Sequence, residues 1–226
     1  MANVTAQDVK ALRDRTGAGM MDCKNALVEA EGDHEKALEI IQKKGLAKAA
    51  KKAGAIAAEG VIHAYIHAGS RIGVLVEVNC QTDFVARNEE FTAFVDEVGL
   101  QIASSAPLYV RESDIPAADI EKQKSIFVGQ LEEEEKQTGK KRPEQAIAKI
   151  IEGKLAKWMK EACLDDQELV TRDDKTTVAK ACENLTVKLG EKIAVRRFVR
   201  YELGEGIEVQ KKDLAADVAE TLAKGS

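Results

Sequence analysis

The chain has 226 residues, of which 44% are hydrophobic but only 4% aromatic, so it is long enough for one large domain and a small one built around Ala, Val, Leu and Ile. A net charge of −5 argues against a protein whose main task is holding nucleic acid. Cys23, Cys80, Cys163 and Cys182 stand far apart with no CxxC pair, which argues against a zinc ribbon or thioredoxin-type site and suits a reducing compartment. The N-terminus lacks a basic segment followed by an apolar run, and no stretch approaches the ~18 apolar residues of a membrane span, so a soluble cytoplasmic protein with no membrane partner is expected.

Thr5 opens the first predicted helix, with Asp8 placed for a capping box. Val9 and Leu12 form its apolar stripe and Gly17 ends it. A second helix follows Gly19, with Met20, Cys23, Leu27 and Ala30 on one face, and Gly32 breaks it. Asp33 caps a third helix carrying Ala37, Leu38 and Ile41, which is predicted to stop at Gly45. Three short amphipathic helices joined by glycine turns predict a small bundle, similar to a ubiquitin-associated domain. Adjacent helical residues diverge by about 100°, so Met20 and Met21 cannot both point inward. One is expected to be exposed, and exposed Met suits an adaptable protein-binding surface. Residues 46–59 are rich in Ala and Lys, including Lys48, Lys51 and Lys52. With no aromatics interleaved for base stacking, this reads as a solvated connecting helix rather than an RNA contact.

Residues 61–66 read as a strand and Ala68-Gly69-Ser70 as a hairpin turn. Residues 72–79 are β-branched and apolar and read as a buried strand. His63 and His67 fall on one strand face with no third ligand nearby, so they are taken as surface or edge residues rather than a metal site. Cys80-Gln81-Thr82-Asp83-Phe84-Val85-Ala86-Arg87 then connects strand to helix. No glycine occurs between Gly73 and Gly99, whereas a phosphate-cradling loop needs them, so a nucleotide is not expected here. The connection either projects Asp83 and Phe84 at a partner, or Phe84 packs under the sheet and Asp83 caps a turn. Asn88 caps the next helix, whose Phe91, Phe94, Val95, Val98 and Ile102 recur at helical spacing.

After Pro107, Ser113-Asp114-Ile115-Pro116 starts a long helix with Ile120, Phe127 and Leu131, ending in the acidic run of residues 132–135, the latter read as a solvated face. A polar turn at residues 138–143 leads to a helix with Ile147, Ile151, Leu155, Trp158 and Ala162, so that the two make an antiparallel hairpin. Leu169 and Val170 are a short extended piece, Val178, Cys182, Leu185 and Leu189 mark another helix, and residues 193–203 form a strand. Its Arg196, Arg197 and Arg200 are expected to pair with the chain's acids rather than a phosphate. A final helix is predicted at residues 213–223, with Leu214, Val218 and Leu222 on one side. The expected fold class is α+β: an N-terminal three-helix bundle with its connector at residues 1–54, then a core at residues 55–204 of antiparallel sheet with packed helices and a helical hairpin at about residues 113–164, then a C-terminal helical segment at residues 205–226.

Glu77-Val78-Asn79-Cys80-Gln81-Thr82-Asp83-Phe84-Val85-Ala86-Arg87 resembles the core signature of the elongation factor Ts family, the nucleotide-exchange factors for the translational GTPase elongation factor Tu. Leu12-Arg13-Asp14-Arg15-Thr16-Gly17-Ala18-Gly19-Met20-Met21-Asp22-Cys23-Lys24 is a second resembling stretch, and Gly190-Glu191, Arg196-Arg197-Phe198 and Leu203-Gly204-Glu205-Gly206-Ile207-Glu208 resemble the family's C-terminal segments. Longer members contain the strand-and-helix half-core twice, whereas Ile72-Gly73-Val74-Leu75-Val76-Glu77 occurs here once. The resemblance implies that Thr82, Asp83, Phe84 and Val85 push into the partner's G domain near its magnesium site. Phe84 would enter an apolar pocket and Asp83 would disturb hydrogen bonds around the ion. Arg13, Met20 and Met21 would supply anchoring area. It implies no cofactor of the chain's own, since GDP, GTP and Mg²⁺ belong to the partner, and a homodimer in which a second copy covers the sheet of the single half-core, as in short members; given the net charge of −5, no direct nucleic-acid contact is expected. No catalytic constellation emerges, since Cys80 has no sequence-local histidine base. A ubiquitin-like-protein-binding adaptor acting through the N-terminal bundle is the alternative, and it leaves the core signature unexplained.

Overall fold

A computed structural model describes residues 4–52, 54–139 and 141–207. The N-terminal helices are α1 (Ala6–Thr16), α2 (Met20–Glu29) and α3 (His34–Lys52). Their caps follow the sequence. Thr5 and Asp8 make a reciprocal capping box, Gly17 closes α1 in the left-handed region, and the Asp33 carboxylate accepts from the Glu35 and Lys36 amides at 3.0 and 3.1 Å. Leu12, Cys23, Ala26, Leu27 and Ala37 are fully buried in a cluster of their own. Two expectations fail here. Met20, expected with Cys23 on the inward face, is 48% exposed, while Met21 is exposed at 65%, because Cys23, Ala26 and Leu27 fill the inward face of α2. And α3 runs through Gly45 to Lys52. A Cβ on Gly45 would lie 2.8 Å from Val187 Cγ1, so this glycine marks a close crossing rather than a stop.

The sheet has three antiparallel strands in the order β1 (Glu59–Ile66), β2 (Ile72–Cys80) and β3 (Ala194–Glu202). The central β2 alternates strictly. Val74, Val76, Val78 and Cys80 are buried under helix α5 (Glu89–Ser105), which Asn88 caps by accepting from the Glu90 and Phe91 amides. Phe91, Phe94, Val95, Val98 and Ile102 of α5 meet them, and α8 (Val178–Leu189) adds Val178, Ala181 and Leu185 to the same core. The reading of β2 as a buried strand therefore holds for one face only, and the other is open. On the open face lie Ile62, Ile66, Leu75, Val199 and Tyr201. A register shift at Glu77/Val78 puts both Arg196 and Arg197 on that face, each 2.7 Å from a Glu77 oxygen. Arg200 pairs with Glu202, so all three arginines answer acids of the chain.

The hairpin is α6 (Ala117–Thr138) and α7 (Glu144–Ala162). Pro116 is the N-cap residue of α6, and a 3-10 turn, Glu112–Asp114, precedes it. Leu131 and Ile151 are buried between the helices. The acidic run is not a purely solvated face, since Glu134 and Glu135 bind the Arg142 guanidinium and Glu135 also accepts the Arg142 amide, closing the turn. Leu108, Tyr109, Leu164 and Asp165 lace the base of the hairpin by backbone bonds, and Arg111 donates to the Val195 carbonyl at 2.7 Å, tying that base to β3. The helix expected at residues 213–223 lies outside the described residues. Among the described residues, no helix is long and apolar enough to cross a membrane.

Candidate functional site

At the end of β2 the buried Cys80 thiol donates to the Thr82 carbonyl at 3.1 Å, and the chain turns. Residues 80–87 are not an open loop. Asp83–Ala86 forms a helical turn, α4, with Thr82 as its N-cap accepting from the Val85 amide. The four expected contact residues divide by position. Phe84 is 83% exposed, and Asp83 is exposed and ion-paired with Arg87 at 3.2 Å. Val85 packs against the core with buried Ala86 behind it. The Thr82 hydroxyl is spent inside the chain: it caps α4 and donates to Glu191 Oε1 at 2.8 Å. Glu191 Oε2 accepts from the Gln81 and Thr82 amides at 3.1 and 3.0 Å, and the Gln81 side-chain oxygen accepts from the Lys192 amide at 3.1 Å. So the alternative that Phe84 packs beneath the sheet does not hold.

Of the N-terminal residues, Arg13 is exposed on α1, and Met20 and Met21 begin α2 beside exposed Asp22. Thr16 shapes the turn before them, its hydroxyl donating to the Leu12 carbonyl at 2.7 Å and accepting from the Ala18 amide at 3.2 Å. Gly17, at φ +67°, sits so close to Lys188 that a Cβ would lie 2.7 Å from Lys188 Cε, and Lys188 is ion-paired with Glu90 of α5. The C-terminal end of α8 thus meets both stretches: Lys188 lies against the α1–α2 turn, and Glu191 holds the turn that carries Phe84. Gly190-Glu191 carries part of the family resemblance, but nothing in the sequence links Glu191 to Thr82, 109 residues away, or Lys188 to the α1–α2 turn.

The other candidates are settled by their surroundings. Burial raises the Cys80 thiol above its ordinary range, with the Glu191 charge adding to it. Burial likewise pushes Cys163 up to about 11 and Cys182 up to about 12. Thiols held protonated in this way are poor nucleophiles. His63 faces α5, with Nε2 3.2 Å from Asp96, and His67 Nδ1 lies 3.1 Å from the Tyr65 hydroxyl. Among the described residues no group of three or more His, Cys, Asp or Glu side chains is placed to hold a metal.

A family model described as "Elongation factor TS" matches residues 7–205. The chain is similar to elongation factor Ts of Desulforamulus reducens, 52% identical over 219 residues, covering 97% of this chain and 98% of the relative. It is similar to that of Myxococcus xanthus, 53% identical over 224 residues, covering 99% and 100%. It is also similar to that of Caldanaerobacter subterraneus subsp. tengcongensis, 55% identical over 205 residues, covering 91% and 99%.

Proposed function

The chain belongs to the elongation factor Ts family, and from that membership we propose that it is a guanine nucleotide exchange factor that binds elongation factor Tu·GDP and releases GDP so that GTP can rebind. It is not an enzyme. Its action is linkage: a protein that binds the GTPase more tightly when GDP and Mg²⁺ are gone weakens their binding by the same factor.

The observation that carries the reading is the exposed Phe84, held out on a capped turn instead of filling the core beside it. An aromatic ring in water has about 1.5–3 kcal/mol of apolar burial to gain on entering a pocket. Placed near the partner's magnesium site, Phe84 holds apart elements that otherwise order the ion, and Asp83, leaving Arg87, competes for hydrogen bonds there. Thr82 and Val85 serve this contact as its base. Arg13, Met20 and Met21 on the ubiquitin-associated-like bundle, the unit of residues 1–54, add anchoring area. The open apolar face of the sheet supports the further reading that two copies pair through it.

The deciding experiment is release of a fluorescent GDP from purified elongation factor Tu with and without this protein. Acceleration to a plateau is the expected result. No acceleration would instead favour an adaptor for ubiquitin-like proteins using the exposed apolar face of α2, where Met20, Met21 and Val28 lie.

A further inference from the structure

We propose that Glu191 is a positioning residue for exchange: its carboxylate holds the Thr82 cap and so sets the direction in which Asp83 and Phe84 project. This rests on the reading of Asp83 and Phe84 as the contact pair.

Three donors converge on one side chain. Oε2 takes the consecutive amides of Gln81 and Thr82, and Oε1 takes the Thr82 hydroxyl. Hydrogen bonds to a carboxylate are about twice as strong as neutral ones. With its proton committed to Glu191, the Thr82 hydroxyl turns a lone pair toward the Val85 amide, the bond that starts α4. That matters because α4 has only four residues. One helical turn does not persist on its own, since its nucleation fixes several dihedral angles for a single hydrogen bond. Nor does Phe84 hold the turn in place, because its ring is in solvent. Val85 and Ala86 anchor the inner side of the turn against the core, and the cap at its start, held by Glu191, sets the direction in which Phe84 leaves it.

Glu191 is itself placed by the end of α8. Gly190, at φ +75°, closes that helix in the left-handed region and turns the chain toward β3. Lys192, next in sequence, donates its amide to Gln81 and its ammonium to the Ala55 carbonyl. The α8–β3 turn is thus fastened on both sides of Glu191. The carboxylate also explains the residue type. An amide at this position keeps one acceptor for the two backbone N–H groups but offers Thr82 a donor where its hydroxyl now donates.

The test is fluorescent-GDP release from elongation factor Tu over a range of exchange-factor concentrations, with melting curves for every variant. Glu191→Ala is expected to lower stimulated release about tenfold, equivalent to about 1.4 kcal/mol, and Glu191→Gln to recover part of the loss. Glu191→Ala combined with Phe84→Ala should lose only slightly more than Phe84→Ala alone, since the larger part of the Glu191 effect runs through the Phe84 ring and only the smaller Asp83 share remains; fully additive losses would overturn the proposal. Full exchange by Glu191→Ala where Phe84→Ala is impaired would overturn it while leaving the exchange reading intact. Full exchange by Phe84→Ala would overturn the reading beneath it as well. If Glu191→Ala does not fold, Thr82→Val and Thr82→Ser decide the matter: loss with Val and retention with Ser supports the cap, and equal activity of Val and wild type overturns it.

Discussion

Phe84 and Asp83 sit in the same turn, yet the physics assigns them different shares. Phe84→Ala removes a ring that is 83% exposed, so the melting temperature should hardly move, whereas a core Phe would cost about 3–5 kcal/mol. In the complex the loss is about 1.5–3 kcal/mol of burial, or roughly 10- to 150-fold in affinity. GDP release at subsaturating concentration should fall accordingly. Asp83→Ala should act in the same direction but more weakly, since its exposed pair with Arg87 is worth little and must open on binding. Glu77 behaves as a separate, stability-related residue. Hydrogen bonds from Arg196 and then Arg197 hold its carboxyl at about 2, well below the usual 4.5. Its contribution is therefore complete above pH 4.5 and is lost as pH falls from 4.5 through 2. Melting curves across that window should show a slope that Glu77→Gln reduces; an unchanged slope would mean that the arginine pair does not act on folding.

At the scale of elements, glycine is the instructive residue. Gly45 and Gly153 both lie inside helices, where Gly→Ala ordinarily gains roughly 0.5–1 kcal/mol. Nothing lies within 4 Å of a Cβ at Gly153, so Gly153→Ala should raise the melting temperature. At Gly45 the added methyl meets Val187 Cγ1 at 2.8 Å. Overpacking costs about 1–3 kcal/mol, which outweighs the helix gain, so Gly45→Ala should melt lower. Val187→Ala in the same chain should relieve that clash, and a Gly45→Ala variant as stable as Gly153→Ala would show that α3 and α8 do not press together in solution.

For the whole molecule, the two apolar clusters, one within α1–α3 and one between the sheet, α5 and α8, favour a division near residue 54, and the Gly45–Val187 crossing joins its two sides. What the fold leaves open is the outer sheet face, where Ile62, Leu75, Val199 and Tyr201 are exposed on three adjacent strands. A face of this kind is stabilised by apposition to another. Sedimentation at tens of micromolar should show a species of about twice 24.6 kDa, and Leu75→Glu, at the centre of the face, should shift it to the single chain. A wild-type protein that sediments only as the single chain would end the dimer reading.

The sequence by itself determined what is local. Thr5, Asp33 and Asn88 cap helices because a short polar side chain reaches only the next few amides, and the stripe from Phe91 to Ile102 names its own buried face by period. The strands and their antiparallel hairpin were legible for the same reason, and the contact stretch was legible through its resemblance to a family. Tertiary structure decided the rest. A period could not say that both Met20 and Met21 stay in solvent, because which side of a short helix is covered depends on its neighbours. A glycine in the sequence looks alike whether it ends a helix or admits another one, and only the approach of Val187 separates the two at Gly45. Nor could any pattern join Thr82 to Glu191: a bond between groups 109 residues apart exists only once the sheet has brought the end of β2 beside the start of β3.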